Sequence, residues 1–279
     1  MERIRPRSKT LQDLKTGKAG CFSPEAMMVT LLIEFIGAIW VAVRYRLNQV
    51  GWLVVLLLVF LGTFQLAEYL ICDDPTLSGH ALAQIGYMSI TMLPPLGVSL
   101  AMALAKKKSL IGQLIMYGFA AAFVIYWGFF KFSIDGEKCY GNYVFIEAHN
   151  DAMWVYGTYY YVFLAIGTVM SLYWSFKTSD KRTALALRLL TVGYIVFIAP
   201  TIAVSIARPQ VDNSIPSVMC GFAVFLALVL IFGVMPFGGT KRPWGGGGTE
   251  DLSGPEADSS DESAADADVP AVAPRHAEE

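Results

Sequence analysis

Two carboxylates, Glu34 and Glu68, stand in long runs of residues that carry no other charge. Ionisable groups in such surroundings are costly to bury, so each marks a binding cavity, a proton path or a hydrogen bond between helices. Gln65 precedes Glu68 by three residues, and on a helix the two share a face. Gln84 opens another apolar run. A second constellation is His149-Asn150-Asp151, followed by Trp154, Tyr156, Tyr159, Tyr160 and Tyr161. A histidine and a carboxylate two residues apart can hold a metal or exchange protons, and His80 is a further candidate ligand. The competing reading is an interfacial histidine beside a belt of snorkelling tyrosines. The four cysteines, Cys21, Cys72, Cys139 and Cys220, match no tight metal-ligand spacing.

Several chemistries lack their residues. There is no His-Glu-x-x-His, no Gly-x-Ser-x-Gly and no phosphate loop, and the run at 216–237 has no lysine for a retinal Schiff base. Catalytic residues and cofactor therefore stay unassigned.

The elements that must position these groups follow from composition. Of 279 residues 55% are hydrophobic and 16% charged, too apolar for an ordinary soluble domain. Ten of the 23 acidic residues, but only one of the 21 basic ones (Arg275), fall in 250–279, so the net charge of −2 conceals a basic body. Runs long enough to cross a bilayer lie at about 25–44, 51–72, 81–104, 110–131, 154–176, 185–207 and 216–237. The expectation is an all-α, polytopic membrane protein of seven transmembrane helices. Pro94-Pro95 and Pro200 must kink their helices or break their hydrogen bonding.

Three parts are expected: a basic tail over 1–19, the seven-helix domain over 20–237, and a Gly-rich linker with a disordered acidic tail over 238–279. The first stretch lacks an apolar core, so no cleavable signal is expected. The first helix opens at Gly20–Ala26, where Ser23 suits a cap, Pro24 the first turn and Glu25 the positive end of the dipole. Arg44, Arg46, Lys106, Lys107, Lys108, Lys177, Lys181, Arg182, Arg188, Lys241 and Arg242 fall at one face, against Lys131, Lys138 and Arg208 at the other. That bias puts the C-terminus in the cytoplasm and the N-terminus outside the plasma (inner) membrane. The six bases of the N-terminal tail argue the other way. Trp127 and Trp154 then fall at the outer interface, and Trp40, Trp52 and Trp174 near the inner one.

With this orientation all four cysteines lie on the outer face, where disulfides form. Cys21–Cys220 is the preferred pair and Cys72–Cys139 the second; free thiols and metal ligation stay open. Glu68 lies about 6 Å below the outer boundary and Glu34 about 13 Å deep, from the helical rise per residue.

The Cys21-Phe22-Ser23-Pro24 entrance, Gln65-Leu66-Ala67-Glu68, the prolines of the third run, His149 and Ser217-Val218-Met219-Cys220-Gly221-Phe222 occur in that order. Together they resemble a bacterial family of seven-helix membrane proteins with an N-terminal Met-Cys-Phe-Ser type motif. The resemblance spans roughly 20–235 and implies an architecture without an assigned activity. It singles out Cys21, Gln65, Glu68, His149 and Cys220. The basic extension and the acidic tail depart from that pattern.

The expected function is a small-ligand- or lipid-binding sensor or scaffold with an outward polar pocket drawn from Glu34, Gln65, Glu68, Gln84, His149, Asp151 and Tyr156. Its partners are the bilayer, a small molecule or lipid in the pocket, and a protein engaged by the acidic tail; nucleic acid is not among them. The alternatives are an intramembrane enzyme (metal-dependent hydrolase or thiol oxidoreductase) and a transporter of protons or small solutes.

Overall fold

Side-chain caps start four of the helices. Asn48 Oδ1 accepts from Gly51 N at 2.9 Å, Ser78 Oγ from Ala81 N at 3.4 Å, and Ser109 Oγ from Gly112 N at 3.2 Å. Asp180 accepts from the Arg182 and Thr183 amides and from the Thr183 hydroxyl at 2.6 Å. Each removes an amide that would otherwise lack a partner at the helix start.

The computed structural model describes residues 24–73, 78–130, 134–140, 143–148, 150–207 and 215–242; within these, the side chains of 24–26, 72–73, 135–140, 143–148, 150–151, 201, 204–207 and 215–221 are not described. The helices are α1 (Pro24–Arg44), α2 (Gln49–Asp73), α3 (Gly79–Thr91), α4 (Leu93–Leu104), α5 (Leu110–Phe129), α6 (Asn150–Lys177), α7 (Lys181–Ala207) and α8 (Ile215–Leu228). A π-helical segment, Val229–Val234, carries α8 into a final turn, α9 (Met235–Gly238). Between α5 and α6 the strands β1 (Ile134–Tyr140) and β2 (Tyr143–Ala148) pair antiparallel, from Tyr140 opposite Tyr143 to Ile134 opposite Ala148, with an irregularity between Ile134 and Gly136.

Six helices are long and apolar enough to cross a membrane: Met27–Arg44, Gln49–Ile71, Gly79–Leu104, Leu110–Phe129, Ala152–Lys177 and Lys181–Pro200. Their surfaces agree with that. On α1 the residues Val29, Leu32, Ile36, Ile39 and Val43 form an exposed apolar stripe, while Met27, Leu31, Glu34, Ala38 and Val41 form the buried one. A helix apolar on both faces suits lipid on one side and protein on the other. On α5, Leu110, Ile111, Leu114 and Phe129 are each more than 70% exposed. The chain is thus a multi-pass helical protein of membrane type.

The third span is the most enclosed. α3 packs against α2 and α5, and α4 against α2, α6 and α7. Consecutive helices α1–α2 and α6–α7 pair, and α8 closes on α1 and α7. The strands lie at one end of the bundle, β1 against α2 and α3 and β2 against α2 and α8. At the opposite end the chain after α9 returns to α1. Tyr45 bridges Lys241, and Arg46 N donates to Thr240 O at 2.7 Å. The bases from Arg44 to Arg242 that the charge pattern groups together all lie at that second end.

Asp180 lies in the loop before α7, fully exposed. Hydrogen bonds from Thr183, then from the Arg182 amide, hold its carboxyl below the ordinary 3.8. A lowered carboxylate contributes stability above its unfolded-state value and loses it as pH falls through the folded one. Asp180→Ala is therefore expected to lower the thermal midpoint at neutral pH, with the deficit shrinking below about pH 4. Unfolding scans at both pH values check this.

The third run is broken where Pro94-Pro95 requires it, into two helical pieces meeting at Met92. The structure departs from the sequence reading in two places: the loop after α5 contains a hairpin, and the last helix has a π-helical stretch. The cysteine pairings fall outside the described side chains. Cys21 lies outside the described residues altogether, and Cys72, Cys139 and Cys220 are placed by backbone only.

Candidate functional site

The candidate site lies at the hairpin end, where α2 finishes, α3 begins, α5 finishes and α6 begins. Glu68 is 1% exposed and Gln65 2%, one turn apart on the buried face of α2. Gly86 lets α3 close on this face. A Cβ there would meet the Phe64 ring at 3.3 Å and the Ala67 methyl at 3.7 Å. One residue on, Tyr87 is fully buried, and its hydroxyl interacts electrostatically with Glu68.

Aromatic rings pack around Tyr87. Tyr87 packs on Trp127 of α5 at a centroid distance of 4.6 Å. Tyr156 of α6 stands edge-on to Trp127 at 5.3 Å and 88°, and lies 5.9 Å from Tyr87. Phe123 adds contacts of 5.2 Å to Tyr156 and 5.0 Å to Tyr159. Edge-to-face geometry of this kind is favourable beyond the area it buries. Gln84 Nε2 donates to the Trp127 carbonyl at 2.8 Å and ties α3 to the end of α5.

Below the rings the third span bends. Pro94 and Pro95 have no amide hydrogen, so the carbonyls of Ile90 and Thr91 lose their ordinary helical donors. Tyr159 Oη supplies one, donating to Thr91 O at 2.8 Å. The Thr91 hydroxyl bonds Tyr87 O at 2.6 Å and lies 3.2 Å from Tyr156 Oη. The site and the bend therefore share residues.

Two polar groups in this cluster, Tyr87 Oη and Trp127 Nε1, are buried without a hydrogen-bond partner among the described residues. Native structures rarely leave such groups unsatisfied. Indole Nε1–H is a donor only, so the missing counterpart is an acceptor. No protein-family model and no curated protein matches the chain. The reading of the site rests on its own chemistry.

Of the sequence-derived candidates, Gln65, Glu68, Gln84 and Tyr156 come together here. Glu34 does not. Gly37 abuts Leu58 and Gly62 abuts the Phe35 ring, which puts Glu34 level with Leu61. That is seven residues, or about 10 Å, from Glu68 along α2. His149 lies outside the described residues, and Asp151 is placed by backbone alone in the first turn of α6. His80, half-buried at the start of α3, has an Nε2 without a partner among the described residues. No group of three potential metal ligands converges among the described residues.

The tyrosine belt needs correcting. Trp154 is 77% exposed, as an interfacial residue should be, but Trp127 is fully buried and Tyr156, Tyr159 and Tyr160 are at most 6% exposed. They line the bundle interior because α6 turns this face toward the bend in the third span. Tyr87 and Thr91 are functional candidates that sequence reasoning passed over. The available signal was a tyrosine and a threonine four apart, just ahead of Pro94-Pro95.

Proposed function

We propose that the protein is a small-ligand- or lipid-binding sensor or scaffold of the plasma (inner) membrane, with its site in the outward half of a seven-helix bundle. Ile215–Gly238 supplies the seventh span in this reading. The loop charges support an outside N-terminus and a cytoplasmic C-terminus. The acidic stretch from Glu250 is the segment that engages a protein partner in this reading. The resemblance carried by Cys21, Gln65, Glu68, His149 and Cys220 points to the same architecture.

One observation carries the ligand reading: Tyr87 Oη and Trp127 Nε1 have no hydrogen-bond partner among the described residues, in a cluster of aromatic rings whose Tyr87 neighbours Glu68. The ligand that fits presents an acceptor oxygen to the indole and an apolar or planar face to the rings. A carbonyl-bearing lipid or a small neutral molecule meets both demands.

Native mass spectrometry of the full chain released from lipid nanodiscs is expected to retain such a species. Trp127→Phe removes the donor and should weaken retention about tenfold, the effect of one hydrogen bond of roughly 1.4 kcal/mol. Glu68→Gln should weaken it as well. Finding nothing bound, with Glu68→Gln unchanged in stability, would sink the reading.

The transporter alternative draws on Glu34 together with Glu68, with Pro94-Pro95 as the flexible break. The enzyme alternative rests on His149, Asp151 and the cysteines, whose side chains lie outside those described.

A further inference from the structure

Glu34 is fully buried, and neither carboxyl oxygen has a hydrogen-bond partner among the described residues. It belongs to the inward stripe of α1, one turn from Thr30 and Ala38. The elements packed on α1 are α2 and α8. At the level of Glu34, α2 presents Leu58, Leu61 and Phe64, all 0% exposed, and its titratable groups Glu68 and Tyr69 lie further along toward the hairpin end. The described side chains of α8, Phe222–Leu228, include no titratable group. The π-helical segment approaches too, since Gly37 lies against Ile231, and Val229–Val234 is entirely apolar. On α1 itself Arg44 is ten residues away, about 15 Å at the helical rise.

An ionised carboxylate in such a place is prohibitively expensive, whereas a neutral carboxylic acid is affordable. We propose that Glu34 is a proton-binding site in the membrane interior, carrying its proton at neutral pH and closed to both faces in this conformation. Release of the proton requires α1 to part from α2 or from the α8 side. The π-helical segment beside Gly37 is where that contact is most open to rearrangement, because its backbone hydrogen bonding is already irregular. This proposal is independent of the ligand reading at Glu68 and uses none of its residues.

Infrared difference spectroscopy of the full chain in liposomes tests it directly. At pH 7 the wild type should show a protonated-carboxyl C=O component that Glu34→Gln removes and Glu68→Gln retains. A wild type without protonated-carboxyl absorption, or a Glu34→Gln spectrum identical to the wild type in that region, overturns the proposal. A second measurement compares unfolding equilibria across pH. In the unfolded chain the glutamate ionises near its ordinary value of about 4.3. Folding then takes up a proton above that pH, and wild-type stability should fall as pH rises, by up to tenfold in the equilibrium constant per unit. Glu34→Gln, which has nothing to protonate, should escape this loss, so the gap between the two widens from pH 5 to pH 9. A gap independent of pH overturns the proposal. Should Glu34→Gln fail to fold, the wild-type carboxyl band followed over pH still decides. A band that disappears near pH 4.3 leaves an ordinary, exposed carboxylate.

Discussion

Gly97→Ala is expected to destabilise the fold by about 2 kcal/mol, the typical cost of forcing a methyl into a filled core. The α4 backbone at Gly97 lies against the hydroxyl of Tyr194 on α7, which an alanine methyl would strike. From the other side Gly167 of α6 presses on the same atom, since a Cβ there would sit 3.1 Å from Tyr194 Oη. The tyrosine borders a narrow apolar cavity that Leu57, Leu93, Leu164 and Leu226 also line, and can retreat into it. Its hydroxyl already has no hydrogen-bond partner among the described residues, so retreat brings no compensating bond. Tyr194→Phe alone should be close to neutral, because it removes a buried polar atom that bonds nothing. It should also rescue part of the loss in the double variant. With the oxygen gone, the nearest ring carbon lies 3.2 Å from the added methyl, still tight. Denaturant titration of the four proteins in one detergent measures the coupling, which should reach about 1 kcal/mol. Additive effects would mean that Gly97 is needed for backbone freedom rather than for the tyrosine.

The contact also shows where sequence reading stops. Gly97 and Tyr194 are 97 residues apart and belong to different apolar runs. Helical period says which face of each run is crowded, but not which glycine meets which hydroxyl. Six of the seven expected spans were legible, because hydrocarbon thickness dictates their length and charge marks their ends. Glu68 and Gln65 were legible as buried for the same reason. The tyrosines after Asp151 were misread as a belt because a ring at a span end satisfies both lipid interface and bundle core. Only the contacts of the α6 tyrosines with Tyr87 and Thr91 at the bend of the third span decide between them. The hairpin was legible yet passed over. Gly141-Asn142 separates Tyr140 from Tyr143 by two residues, with β-forming residues on either side. The π-helical segment left no such mark, since Val229–Val234 reads as ordinary helix-compatible apolar sequence.

Tyr159→Phe should cost about 2 kcal/mol, within the range for a buried acceptor left without its donor. The acceptor is the Thr91 carbonyl, which Pro95 deprives of its helical amide. A continuous helix would need no tyrosine there, so the two features ought to depend on one another. Pro95→Ala restores an N–H four residues after Thr91 and offers the carbonyl a backbone donor. In that background Tyr159→Phe should cost less than half as much. Tyr156→Phe is the control. It too approaches residue 91, but at the hydroxyl, which keeps its 2.6 Å bond to Tyr87 O, and its effect should be smaller and indifferent to Pro95→Ala. If Tyr159→Phe costs the same with and without Pro95, the hydroxyl is not a substitute for the missing amide. The consequence reaches the candidate site, because Thr91 follows Tyr87 by one turn and Tyr156 touches both. Straightening the third span shifts Tyr87 relative to Trp127, so Pro95→Ala should also change ligand retention without altering any residue of the aromatic cluster. The freed carbonyl at the bend is thus held by one side-chain hydroxyl, and on the proposed sensor reading this is the joint that a bound molecule would load.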